Sequence, residues 1–187
     1  MTQLTTDDLI GIRRHLHEHP ELAMHEVTTH QYLLTIIQQF KQDYLEIREL
    51  PDLPTALLVY VRGSQPKRTI GYRTDIDALP VTEETGLPFA SQNPGVMHAC
   101  GHDIHMTVAL GVLNWFSEHQ PEDNLVFFFQ PAEESENGGK VAYEQGVFKG
   151  KWRMSFTGCM TTPIYLPGQL AAGWGHCLPG PPKSMLI

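Results

Sequence analysis

Positive charge is scarce in this chain of 187 residues: 13 Lys and Arg stand against 21 Asp and Glu, giving a formal net charge of −8. Such a surface has no excess of cations to neutralise a phosphate backbone, so no nucleic acid is expected as a partner. Long apolar runs are also missing. None approaches about 20 residues, the length a membrane-spanning helix needs, and the opening Met1-Thr2-Gln3-Leu4-Thr5 lacks the basic start and apolar core of an export signal. A cytoplasmic protein with no membrane partner is expected. Cysteine is the third shortage: Cys100, Cys159 and Cys177 are too few and too scattered for a disulfide framework. Any special role of Cys100 is therefore chemical.

A further absence is local. From Met154 to Ile187 there is no carboxylate, and Lys183 is the one charged residue, while five glycines and five prolines fall in the same stretch. The tail shows neither helical nor alternating periodicity, and Pro179-Gly180-Pro181-Pro182 breaks either regular structure. Residues 1–153 are expected to form one unit and 154–187 an aberrant tail.

What is present in the first part alternates between helical and strand patterns. Thr6 to Leu16 places Leu9, Ile12 and Leu16 on one face with Thr6 as cap, and Glu26 to Phe40 repeats the pattern with Tyr32, Leu33, Ile36, Ile37 and Phe40. Ala56 to Val61, Thr69 to Arg73 and Leu125 to Phe129 are short runs rich in strand formers, and Met106 to Phe116 supplies a helix between the second and third. Strand, helix, strand in that order predicts an α/β protein with a mixed sheet and helices on both faces.

Three segments at the ends of these elements carry the chemistry. They are Thr74-Asp75-Ile76-Asp77-Ala78-Leu79-Pro80, Met97-His98-Ala99-Cys100-Gly101-His102-Asp103-Ile104-His105 and Gln130-Pro131-Ala132-Glu133-Glu134-Ser135. Thiolate, imidazole and carboxylate together suit Zn²⁺ or a neighbouring divalent ion. Cys100 and His102 flank a small Gly101, which lets both side chains approach one ion. Of the adjacent Glu133 and Glu134, one carboxylate can bind an ion while the other acts as general base on water. Asp75 can hold an imidazole ligand or the ions from behind. Each motif has a plainer reading alone: a chance Cys–His spacing, an acidic helix start, or Asp75 and Asp77 capping a turn. Three ligand types at the ends of three core elements favour the joint reading. His15, His17 and His19 alternate along a helix and cannot share one face, so they are read as surface or packing residues, and His25 and His98 are read as structural. His98 and His105 lie close enough in sequence to contact a substrate.

These motifs, with Arg13-Arg14-His15-Leu16-His17 and His19-Pro20-Glu21-Leu22, resemble the amidohydrolase branch of the aminoacylase/carboxypeptidase metallopeptidases. The resemblance covers Thr6 to about Arg153. The branch includes N-acetyldiaminopimelate deacetylases, hippurate hydrolases and hydrolases of auxin–amino acid conjugates. Gly86-Leu87-Pro88-Phe89-Ala90-Ser91 and the segment from Gly138 to Phe148 are most similar to the first of these. The resemblance implies a zinc-aminopeptidase-like catalytic domain, here incomplete. It also implies Cys100, His102 and Glu134 as metal ligands, Glu133 as the base and Asp75 as a catalytic carboxylate, with the Glu133 and Glu134 roles open to exchange. Implied too are about two divalent ions (Zn, Mn or Co) per complete chain. The substrate implied is a small N-acyl amino acid, foremost N-acetyldiaminopimelate in lysine biosynthesis, with hippurate or auxin-conjugate hydrolysis as the alternative. The complete protein is expected to be a homo-oligomer.

Members of the branch continue with a lid and dimerisation domain and a further metal-binding histidine, which this chain lacks, so the chain as given is expected to be an inactive remnant. Read with the third base of each codon joined to the first two of the next, Met154 to Thr161 can encode Glu-Phe-Tyr-Gly-Leu-His-Asp, which resembles the branch's next segment. A frameshift near residue 154 accounts together for the loss of charge, the proline cluster and the stop after Ile187.

Overall fold

The structure is a computed structural model and describes residues 3–135, 137–147 and 152–156. Among the described residues nine elements follow in chain order: α1 (Thr6–Glu18), α2 (Val27–Ile37), β1 (Leu45–Leu50), β2 (Leu53–Val61), β3 (Thr69–Asp75), α3 (His102–Glu118), β4 (Asn124–Gln130), α4 (Gly138–Glu144) and β5 (Trp152–Phe156). The strands form one sheet in the order β1-β2-β4-β3-β5. β1 with β2 and β2 with β4 are antiparallel, whereas β3 lies parallel to both β4 and β5. The mixed α/β class expected from the pattern is the one found.

Both faces of the sheet are covered, which explains why β2 and β4 read as continuous apolar runs rather than alternating ones. Leu57, Val59 and Val61 of β2 and Phe127 and Phe129 of β4 pack with Ile12, Leu16, Leu33, Ile37, Met106, Leu110 and Leu113 from α1, α2 and α3. Their neighbours Leu58, Val126 and Phe128 point the other way, toward Ala142 of α4 and Val147. None of the described helices is long and apolar enough to cross a membrane.

The caps and ends differ from the sequence reading in informative ways. Thr5, not Thr6, caps α1: its hydroxyl accepts from Asp8 N–H at 3.2 Å, and Asp8 Oδ2 accepts from Thr5 N–H at 2.8 Å. α3 begins at His102 rather than Met106, so His102 and His105 belong to its first turns and not to a preceding loop. Gly101 precedes it at φ 78°, a left-handed conformation open to glycine, so its role is to turn the chain into α3. β1 was not expected; its half-exposed, charged Leu-Glu-Ile-Arg-Glu-Leu is an edge strand whose polar face hides the pattern. The expected boundary after Arg153 falls inside β5, where Met154, Ser155 and Phe156 pair with Gly71, Tyr72 and Arg73. The rest of the segment expected to be an aberrant tail, including Cys159 and Cys177, lies outside the described residues.

The parallel β3–β4 pair fixes where chemistry can assemble. Asp75 and Gln130 are register partners at its carboxyl ends, and Ile76 N–H continues the ladder to the Gln130 carbonyl at 3.0 Å. The chain leaves both strands side by side there, the position at which open α/β sheets place their sites.

Candidate metal centre

Asp77, two residues past β3, is fully buried and ties the three motif segments together. Its Oδ2 accepts the backbone N–H of Glu134 at 2.9 Å. Its carbonyl accepts from His102 Nδ1 at 2.8 Å, and its Oδ1 lies 3.5 Å from the same nitrogen. Burial works against the Asp77 charge, but the His102 imidazole and the Glu134 and Glu133 amides outweigh it and hold the carboxyl below its usual value.

Because a carbonyl only accepts, His102 Nδ1 donates to Asp77, and Nε2 is the nitrogen left to face the site. That Nε2 lies 3.9 Å from Glu134 Oε1. Burial disfavours the imidazolium, yet the Asp77 side chain, the charge of Asp75 and the Asp77 carbonyl push the His102 pKa up to about 9. His102, Glu133 and Glu134 each offer a ligand atom, and these atoms lie within 4.8 Å of one another. Cys100, half-buried, is not one of this group of three, although Glu134 is among the residues that act on its thiol. Burial, then Glu134, Glu133 and Asp77, push its thiol up to about 12. Glu133 is also raised, by burial first and then by the charges of Asp75 and Glu134, against the pull of Arg73 and His102.

The clustered donors are thus one imidazole and two carboxylates, with the Cys100 thiol influenced by the same carboxylates in surroundings that hinder loss of its proton. That is the chemistry of a divalent-cation site: a cation relieves the repulsion among the carboxylates and displaces the protons from sulfur and imidazole. Among the described residues Glu134 Oε1 is buried without a hydrogen-bond partner, which suits a ligand atom.

One of the roles expected of Asp75, holding the imidazole, is not its own. Its Oδ1 is bound by Arg73 Nη2 at 2.5 Å, and the carboxylate that holds the imidazole is Asp77. Asp75 acts on His102 through its charge, and burial, only partly offset by Arg73 and His102, raises its pKa. Arg73 Nη2 also lies 3.9 Å from Glu133 Oε1. The sequence reading singled out Asp75; it is Asp77, two residues past the end of β3, whose carbonyl and carboxylate meet the imidazole.

Of the two readings of His17, surface or packing, the first fails. It is not a surface residue but lies buried between two carboxylates, with Nδ1 2.7 Å from Asp103 Oδ2 and Nε2 3.1 Å from Glu83 Oε1. Arg13 Nε reaches the same Asp103 oxygen at 2.9 Å. The i, i+4 spacing of Arg13 and His17 is the signal that could have found this face, whereas Glu83, in a segment without periodicity, offered none. His15 does pack, stacking on Tyr32 and His19, and His25 is exposed. His98 and His105 are both buried, and neither has a ring-nitrogen hydrogen bond among the described residues. Burial depresses His98 to about 4. Glu26, distant in sequence from every motif, was also missed: its carboxylate accepts the N–H of Ala132 at 2.8 Å.

The chain is 63% identical over 178 residues to an N-acetyldiaminopimelate deacetylase of Limosilactobacillus reuteri (strain DSM 20016), a match covering 95% of this chain and 47% of the relative. It is 61% identical over 181 residues to the protein of that name from Lactobacillus helveticus (strain DPC 4571), covering 96% and 47%. The chain therefore spans about half the length of the curated relatives it matches. Among solved structures it resembles the Bacillus subtilis YxeP protein, described as a dinuclear metal binding peptidase of the M20 family. The TM-score is 0.75 and the identity 38%, over 80% of this chain and 42% of that one. The profile of peptidase family M20/M25/M40 matches residues 71–175. With all three motif segments inside that match, the chain belongs to peptidase family M20/M25/M40.

Proposed function

We propose that this chain carries the catalytic half-site of a cytoplasmic, divalent-metal N-acyl amidohydrolase. Its substrate is a small N-acyl amino acid, foremost N-acetyldiaminopimelate, cleaved to diaminopimelate and acetate in lysine biosynthesis. The observation that carries the reading is the meeting of His102, Glu133 and Glu134 within 4.8 Å, where the start of α3 faces the turn after β4. The relatives' name supports the substrate, and the description of the Bacillus subtilis protein supports a divalent metal.

Cys100, His102 and Glu134 are the ligands in this proposal. When bound, a divalent ion supplies Lewis acidity to polarise the amide carbonyl and to make water easier to deprotonate. Glu133 takes the proton from water as oxygen adds to the carbonyl carbon, then delivers it to the amide nitrogen as the C–N bond breaks, so acetate and a free amine leave. The division of labour between the glutamates follows their surroundings: Glu134 interacts with Cys100 and lies near His102 Nε2, whereas the Glu133 side chain is 39% exposed and faces Arg73. A raised carboxyl pKa suits a general base working near neutrality. Asp75, fixed by Arg73, holds negative charge near His102 and is the carboxylate assigned to the site's rear.

The test uses a full-length protein containing this segment. Glu133→Gln should keep its metal content and lose turnover of N-acetyldiaminopimelate by about 10²-fold or more. Unchanged turnover in Glu133→Gln, or faster turnover of N-benzoylglycine than of N-acetyldiaminopimelate, contradicts the base or the substrate assignment respectively.

A further inference from the structure

The turn that delivers Glu133 and Glu134 is held by a carboxyl outside the candidate ligand set. Glu26 caps the start of α2 in sequence and has 0% of its surface exposed. Its Oε1 accepts the N–H of Ala132 at 2.8 Å, across 106 residues of chain. Ala132 sits at φ 54°, a left-handed conformation that a residue with a side chain keeps only when its surroundings enforce it. On its other side, the Ala132 carbonyl accepts the N–H of Gly138 at 3.0 Å. The loop is therefore gripped on both sides of Glu133, by Glu26 at Ala132 and by Asp77 at Glu134. Without the first grip, the left-handed residue is free to relax, and Glu133 swings with it.

We propose that Glu26 is a positioning residue for the Glu133–Glu134 pair, acting through the Ala132 amide and touching neither substrate nor ion. The proposal rests on the roles given to Glu133 and Glu134 above. What matters in it is reach to the amide and an accepting oxygen rather than negative charge. Glu26→Gln keeps both the length and the carbonyl oxygen. Glu26→Asp keeps the charge but withdraws the oxygen by about 1.5 Å, one carbon–carbon bond.

Two readings on the 187-residue chain test this: amide hydrogen exchange at Ala132, and Co²⁺ affinity by titration of the same samples, each with circular dichroism to show a folded chain. Glu26→Gln should leave both within about threefold of the parent, whereas Glu26→Asp should speed exchange at Ala132 and weaken Co²⁺ binding by about tenfold or more. Glu26→Asp matching the parent in exchange overturns the proposal. So does a folded Glu26→Gln that exchanges about tenfold faster, which would make charge the operative property. If the parent chain takes up no Co²⁺, the metal reading fails, and exchange at Ala132 alone decides the positioning role.

Discussion

The carboxylate of Asp77 accepts the backbone N–H of Glu134 at 2.9 Å, so a residue just past β3 sets the direction of one delivered by β4. The same residue fixes His102 through its carbonyl. Asp77→Ala should lower stability by about 1–3 kcal/mol in urea denaturation, because the Glu134 amide loses its buried acceptor. It should also weaken divalent-ion binding by about 10–100-fold, the usual cost of losing a residue that orients ligands. Asp77→Asn keeps an acceptor for Glu134 and should retain more stability than Asp77→Ala; equal losses in the two variants would show that the bond to Glu134 does not matter.

Gly138 has no room for a side chain. A Cβ there would lie 2.0 Å from the Pro131 carbonyl oxygen, a backbone atom that cannot step aside without moving the turn before Glu133. Gly138→Ala should destabilise the chain by about 1–3 kcal/mol. At Gly139 the nearest atom is the Gln130 side-chain Oε1 at 2.9 Å, which can rotate away, so Gly139→Ala should be milder. Melting temperatures in the opposite order would contradict this.

How much of this was legible from the sequence depends on the kind of signal each residue leaves. Strands β2 and β4 showed as apolar runs because both faces are buried, β3 as a short run rich in strand formers, and the candidate ligands showed because Cys100, His102, Glu133 and Glu134 stand in tight motifs at element ends. Glu26 and Asp77 act on peptide groups far away in sequence, and a hydrogen bond to a backbone amide leaves no mark on the partner's residue type. His17 misled for a related reason: its two partners, Glu83 and Asp103, lie 66 and 86 residues away.

His17→Ala should remove the bridge between Glu83 and Asp103 and lower stability by about 1–3 kcal/mol. Arg13 stays on Asp103, so the loss should fall mainly on the Glu83 side, where proteolysis of the 79–97 segment should quicken. Unchanged proteolysis and an unchanged urea midpoint would show that the bridge holds nothing.

Burial raises the Glu26 carboxyl above its ordinary value of 4.5, with the charge of Asp77 adding to the shift. A raised acid favours folding only while protonated, so its contribution is present below pH 4.5 and is lost as pH climbs through the folded value. Glu26→Gln cannot lose that proton. Its melting temperature relative to the parent should therefore rise between pH 4 and pH 7, as the parent ionises. A difference that is constant across this range would contradict a buried, raised carboxyl.

The central claim is that Cys100, His102 and Glu134 bind a divalent ion beside Glu133. Its most direct test is the electronic spectrum of the metal-free chain titrated with Co²⁺. A thiolate-to-cobalt charge-transfer band should grow in, vanish in Cys100→Ser, and need far higher Co²⁺ in His102→Ala. A parent chain without the band, or a Cys100→Ser, His102→Ala double variant that binds Co²⁺ as tightly as the parent, would contradict it.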